Sequence, residues 1–155
     1  MNDQQKIEKL KTFVDPAAIA NPVPRRIFVT VPAAGLVAFT AKLKADLDGW
    51  YVATISGVDK GEDYEILYHF GDTTGSINVR TRIPKSDPKL PSICAVIPGA
   101  ILYERELQDM FGITVENLPD PRPMLMPDDW PAGNYPLRKD WTFERPAEVI
   151  PGGKK

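Results

Sequence analysis

Cysteine and histidine are almost missing from this chain, with one of each, Cys94 and His69, in 155 residues. A lone cysteine cannot close an internal disulfide, and one thiolate cannot hold an iron–sulfur cluster, which takes about four. A zinc site built from Cys94 and His69 would need two carboxylates as well, which is unusual for structural zinc. A single thiol suits a reducing compartment. Long apolar runs are missing too. The longest uncharged stretches, Ile27–Ala41 and Leu90–Tyr103, both contain proline and are too short to span a bilayer. Residues 1–13 are polar and helical in pattern, without the apolar centre of a signal peptide. Nor is there an excess of one charge, the net being −2. That balance fits neither a phosphate-neutralising nucleic-acid binder nor a basic membrane-surface anchor. No G-x-G-x-x-G, P-loop or G-x-S-x-G motif is present, so no nucleotide site or serine nucleophile is signalled. The expectation is a cytoplasmic protein, or one held at a membrane through other chains.

What is present reads as one soluble α+β domain with an unusual tail. Hydrophobic residues make up 43% and charged residues 26%, ordinary for a globular chain long enough to bury a core. Asn2–Val14 has a helical pattern, with Asp3 able to cap it. Proline punctuates Asp15–Pro24, which reads as a connector. Arg26–Val31 is rich in β-formers. Pro32 then opens an amphipathic helix over Ala33–Asp48. Trp50–Gly57, Tyr64–Phe70 and Ser76–Ile83 follow as strands. Tyr64, Ile66, Tyr68 and Phe70 share one face of theirs, and Ile77, Val79 and Thr81 one face of the next. Short connections favour an antiparallel meander, hence a sheet of about four strands with helices on one face. Leu90–Ile97 resembles one or two helical turns. Ala100–Phe111 reads as a further helix, which Gly112 ends.

Proline is the one residue in excess, 16 in all, and eight of them follow Gly112. No helical or strand period is evident there. Yet a disordered linker would be poor in aromatics, and this segment carries Trp130, Tyr135, Trp141 and Phe143 with Met124, Leu125, Met126 and Leu137. Ordering so long a segment takes much apolar burial. Residues 1–112 therefore read as the domain and 113–155 as an extended proline-rich arm that wraps a partner. An arm folded back on its own domain is the alternative.

Glu104, Arg105, Glu106 and Asp109 make the densest charged cluster. Glu106 and Asp109, three apart on a helix, could serve as acid and base in a stand-alone enzyme. A solvated face with an Arg105–Asp109 pair is the plainer reading. A third is a set of ion pairs at a protein interface. His69, mid-strand between aromatics, reads as structural. Pro119–Pro123 could be a polyproline ligand of an adaptor.

The segment from Pro91 onward resembles the 30 kDa subunit family of complex I-like respiratory enzymes. The resemblance lies in Glu104-Arg105-Glu106, then Asp109 and Met110-Phe111-Gly112, preceded by Pro91-Ser92 and Pro98-Gly99-Ala100. Pro119-Asp120, Arg122, Met124-Leu125-Met126-Pro127, Asp129-Trp130 and Pro136-Leu137-Arg138-Lys139-Asp140 follow in the family's order, and Tyr68-His69 matches upstream. Leu118, where NADH dehydrogenase members usually have histidine, departs from the pattern. So does Asn134-Tyr135, where they usually have glycine-histidine, and the chain ends soon after Trp141.

The resemblance implies a non-redox assembly subunit in the hydrophilic arm of a membrane-bound oxidoreductase. Such a subunit packs on a large subunit related to that of NiFe hydrogenases, beside a cluster-carrying small subunit. It implies no cofactor on this chain, with iron–sulfur clusters and a quinone or NiFe site carried by partner subunits. The shorter, looser tail is closest to energy-converting membrane-bound NiFe hydrogenases. The 30 kDa subunit of NADH:quinone oxidoreductase, or a relative with another electron donor, is the alternative. Location would be peripheral, on the cytoplasmic face of the membrane. The expected interface is Glu104, Arg105, Glu106, Asp109, Phe111, Gly112, Trp130, Tyr135, Arg138, Lys139, Asp140 and Trp141, with no catalytic or metal residues. Arg105→Ala should then harm assembly more than folding, by leaving Glu104, Glu106 or partner acids unpaired.

Overall fold

Alternation in the long strands decides where the core sits. In β4 (Asp63–Asp72), Tyr64, Ile66, Tyr68 and Phe70 are fully buried, as expected. In β5 (Gly75–Pro84), Ile77, Val79 and Thr81 are buried beside them. The computed structural model describes residues 1–47 and 51–142. Asp48, Trp50, Phe143, Pro146, Pro151 and the rest of the arm beyond Thr142 lie outside the described residues.

Five strands form the main sheet, in the order β1-β2-β5-β4-β3. β3 (Tyr51–Asp59), β4 and β5 pair antiparallel, the expected meander. Two features correct the sequence reading. β2 (Arg26–Thr30) lies parallel to β5, so the sheet is mixed. The fifth strand, β1 (Ile19–Val23), comes from the stretch read as a connector. It is an edge strand and mostly exposed, so Pro22 removes no ladder bond on which the interior depends. Arg25, at φ 66°, turns the chain into β2.

α1 (Asp3–Leu10) is capped by Asn2 in a reciprocal capping box with Gln5; Asp3 instead accepts from the Arg25 N–H. A 3-10 turn over Ala33–Gly35 leads into α2 (Leu36–Asp46), which buries Leu36, Phe39, Thr40 and Leu43. Of the one or two helical turns expected over Leu90–Ile97, Leu90 and Pro91 are instead strand, while Ile93–Ile97 does make a single turn, closed by the Ile97 N–H on the Ile93 carbonyl. β6 (Lys89–Pro91) pairs parallel with β7 (Thr114–Glu116), a strand in the stretch whose sequence shows no period. Three-residue strands are too short to show one. Between them runs α3 (Ile101–Phe111), ended by Gly112 at φ 68°, the left-handed cap that a following glycine favours. α3 lies on β3 at Gly57, where an added Cβ would stand 2.6 Å from the Phe111 ring. On the polar face of the sheet, Glu65 pairs with Arg80 and Arg82, and His69 Nδ1 bonds Asn78 Oδ1 at 2.7 Å, a structural role.

Candidate partner interface

α3 sends its four signature charges to three different places. Ala100, Glu104, Leu107 and Phe111 share the buried face, so Glu104 points into the core with no exposed surface. Its carboxylate accepts from Ser92 Oγ (2.6 Å), the Ile93 N–H (2.8 Å) and Cys94 Sγ (3.2 Å). It thus pins the loop after β6 to the helix. Burial pushes the Cys94 thiol up to about 11; Ser92 opposes the shift and the bond to Glu104 adds to it. Cys94 is thus a buried thiol bonded to Glu104, in surroundings that disfavour the thiolate.

Arg105 and Asp109 do not pair with each other, contrary to the plainer sequence reading. Both reach the arm's backbone. Arg105 donates to the carbonyls of Arg122 (2.8 Å) and Pro123 (2.9 Å) and lies 3.6 Å from Asp120. Gln108 donates to the Pro121 carbonyl. One oxygen of Asp109 accepts the N–H groups of Met124 and Leu125, each at 2.8 Å. Asp120 in turn takes the Arg122 side chain by two bonds, at 2.8 and 2.7 Å, which holds its carboxyl well below the usual range. These proline-bounded residues are bound by their own domain, which argues against a free polyproline ligand. Glu106 is the fourth charge, and it faces neither the core nor the arm's anchors.

A second anchor sits at the end of α3. The Leu137 N–H donates to the Met110 carbonyl, and Arg138 Nε to that of Phe111 at 2.6 Å. The Arg138 guanidinium lies 4.3 Å from the Tyr135 ring centre and 5.8 Å from that of Tyr64. A Cβ at Gly112 would run into Tyr135 and Arg138, so glycine serves both the helix cap and the close approach of the arm. Next along, Asp59 Oδ2 accepts from the Lys139 N–H (3.0 Å) and from Lys85 Nζ (2.9 Å), and Lys85 also bridges to Asp140 at 3.2 Å. Burial opposes the charge on Asp59, yet bonds from Lys85, Lys139 and Gly61 outweigh it and hold the carboxyl at about 2. Trp130 donates to the Asn134 carbonyl and stacks obliquely on Trp141 at 6.3 Å.

The described part of the arm therefore folds back on its own domain, the alternative raised above. Its backbone groups and Arg138 face inward, while Leu125 and Leu137 remain about half exposed. Between α3 and the arm lies an open groove of about 770 Å³ that reaches Arg105, Asp109, Trp130 and Tyr135. Asp109 lines it and Glu106 does not, so this groove offers only one of the two acids that the stand-alone enzyme would use. Among the described residues, no three His, Cys, Asp or Glu side chains come together as a metal site. Nor is any helix there long and apolar enough to cross a membrane. Sequence reasoning missed Asp59 and Lys85, placed Tyr64 only as a core-facing strand residue, and had Ser92 within the family pattern Pro91-Ser92 but without a role.

Residues 29–147 match the family "Respiratory-chain NADH dehydrogenase, 30 Kd subunit". The F(420)H(2) dehydrogenase of Methanosarcina mazei has a subunit 31% identical over 137 residues, 86% of this chain and 85% of that relative. Formate hydrogenlyase subunit 5 of Escherichia coli is 36% identical over 98 residues, 59% of this chain but 17% of that much longer relative. One chain of the membrane-bound sulfane sulfur reductase, an archaeal respiratory membrane complex, superposes with a TM-score of 0.77 at 27% identity. That match covers 90% of this chain and 85% of that one. This chain belongs to the 30 kDa subunit family of the respiratory-chain NADH dehydrogenase.

Proposed function

We propose that the chain is a non-redox assembly subunit in the hydrophilic arm of a membrane-bound, complex I-like oxidoreductase. It packs on a hydrogenase-like large subunit beside a cluster-carrying small subunit, at the cytoplasmic face of the membrane. The observation that carries this reading is the use made of the signature residues. Glu104 and Asp109 accept from, and Arg105 donates to, backbone or loop groups of this chain, where a catalyst would keep these groups for a substrate. They build a shaped surface of helix and arm. On this reading clusters, and any NiFe site, lie in partner subunits.

Among such complexes, an energy-converting NiFe hydrogenase draws support from the similarity to formate hydrogenlyase subunit 5. A second reading is a respiratory complex fed by another electron donor or acceptor. It is favoured by extent of match: the F(420)H(2) dehydrogenase and sulfane sulfur reductase subunits share nearly their whole length with this chain. The test is to tag the chain in its native host, solubilise membranes gently and assay what co-purifies. Hydrogen evolution with nickel selects the hydrogenase. NADH oxidation with flavin and no nickel selects the NADH dehydrogenase. Partner subunits with neither activity select the second reading. A chain that purifies alone overturns the assembly reading.

A further inference from the structure

One strip of α3 neither enters the core nor bonds to the arm. It carries Leu102 and, one turn on, Glu106. Leu102 is 53% exposed. The arm segments bonded at Asp109 and Met110, three and four residues on from Glu106, add two more: Leu125, whose N–H is held by Asp109, is 48% exposed, and Leu137, whose N–H is held by Met110, is 52% exposed. Three of the seven exposed large apolar side chains among the described residues thus gather on α3 and the arm segments bonded to it. Glu106 is half-buried, and among the described residues it accepts no hydrogen bond and makes no ion pair. Glu104, Arg105 and Asp109 each have their partners inside the chain.

An apolar surface laid over this strip would strip water from the Glu106 carboxylate and give nothing back. A surface bringing a cation opposite Glu106 covers the leucines without that penalty and fixes the register of docking. Arginine suits the position better than lysine, because its guanidinium is weakly hydrated and can grip both carboxylate oxygens. We propose that Leu102, Glu106, Leu125 and Leu137 form a docking strip for a partner subunit whose covering surface is apolar, with one arginine seated opposite Glu106. This rests on the assembly reading above and adds the chemistry of the partner to it.

The experiment uses the full chain, tagged and expressed in its native host, as wild type, Glu106→Gln, Glu106→Arg and a control, Glu8→Arg. Glu8 is an exposed acid on α1 whose one ion pair among the described residues is with Lys11. Two quantities are read: partner subunits retained on the tag during a salt wash, and the Tm of the isolated chain. Glu106→Gln should retain roughly tenfold less partner than wild type, Glu106→Arg less again, and Glu8→Arg as much as wild type. The isolated-chain Tm should stay the same throughout. If wild type brings partners and Glu106→Arg brings as many, the strip is overturned while the assembly reading stands. A fall in isolated-chain Tm that accounts for the loss of partners makes Glu106 an internal support and also overturns the strip. If wild type brings no partner, both readings fail together.

Discussion

Glu104 ties α3 to the loop after β6, and Gly112 ends the same helix where the arm comes closest. By charge Glu104 belongs to a polar face, yet Ala100, Leu107 and Phe111 stand at i−4, i+3 and i+7 from it, so the period already places it inward. Its carboxylate satisfies three donors in the buried interior. Glu104→Ala would leave the Ser92 hydroxyl proton and the Ile93 N–H buried without an acceptor, although Ser92 Oγ still accepts from the Cys94 N–H, and should lower unfolding free energy by about 3 kcal/mol or more. Glu104→Gln keeps an acceptor for Ile93 and can donate to Ser92, so its loss should be about half as large. Urea melts of the two variants check the ratio. Equal losses would mean that volume, not the carboxylate, matters there. Gly112 was legible because a glycine after the last apolar turn signals a left-handed cap. Its second task, admitting Tyr135 and Arg138, was not, since it depends on residues more than twenty positions away. Gly112→Ala should therefore cost more than the about 1 kcal/mol of the cap alone. It should also speed proteolysis of the arm at Arg138 and Lys139, which a simple cap defect would not do.

At the scale of elements, the long strands and α3 were legible because each carries its own period. β1 was hidden by Pro22, which an edge strand tolerates, and the β6–β7 pair by its brevity. The arm was legible as ordered, from its aromatics, but not in what it binds, because its anchors are backbone groups that leave no trace in side-chain pattern. That changes the expectation for Arg105. Its partners are the carbonyls of Arg122 and Pro123, not Glu104 or Glu106. Arg105→Ala should free residues 120–125 at a stability cost of about 1–2 kcal/mol, seen as faster hydrogen exchange at Met124 and Leu125 with β4 and β5 unchanged. The second anchor carries a pH signature. The Asp59 carboxyl sits at about 2 in the folded chain against the usual 3.8. A depressed carboxyl stabilises the state that depresses it above the ordinary value, and that stabilisation drains as pH falls through the folded one. The arm's hold at Lys139 should thus be complete above about pH 4 and weaken toward about pH 2. Trp130 and Trp141 emission should report this in wild type. Asp59→Asn should lack that titration, and an identical pH profile in both would remove Asp59 as its cause.

For the whole molecule, the fold-back arm changes what assembly must supply. Composition alone favoured a partner as the surface that orders the segment, with the chain's own domain as the alternative. The described part is instead ordered by Arg105, Asp109, Phe111 and Asp59 of its own domain, which leaves outward leucines and Glu106 for a partner. Two classes of arm amide follow. Met124, Leu125, Leu137 and Lys139 donate to groups of the domain, so they should exchange slowly in the isolated chain as in the complex. Asp128 and Asp129 lie on the exposed stretch between the two anchors, and their N–H groups should exchange fast in the isolated chain. Local opening sets these rates, and contact with a second surface slows only amides that were free to open. Hydrogen exchange followed by mass spectrometry on the chain alone and within its purified complex separates the cases. Slowing confined to 126–135 and the face of α3 would show a partner laid over a preformed arm. Slowing at Met124, Leu125, Leu137 and Lys139 as well would mean that the anchors close only in the assembly, and that the domain by itself does not hold its arm.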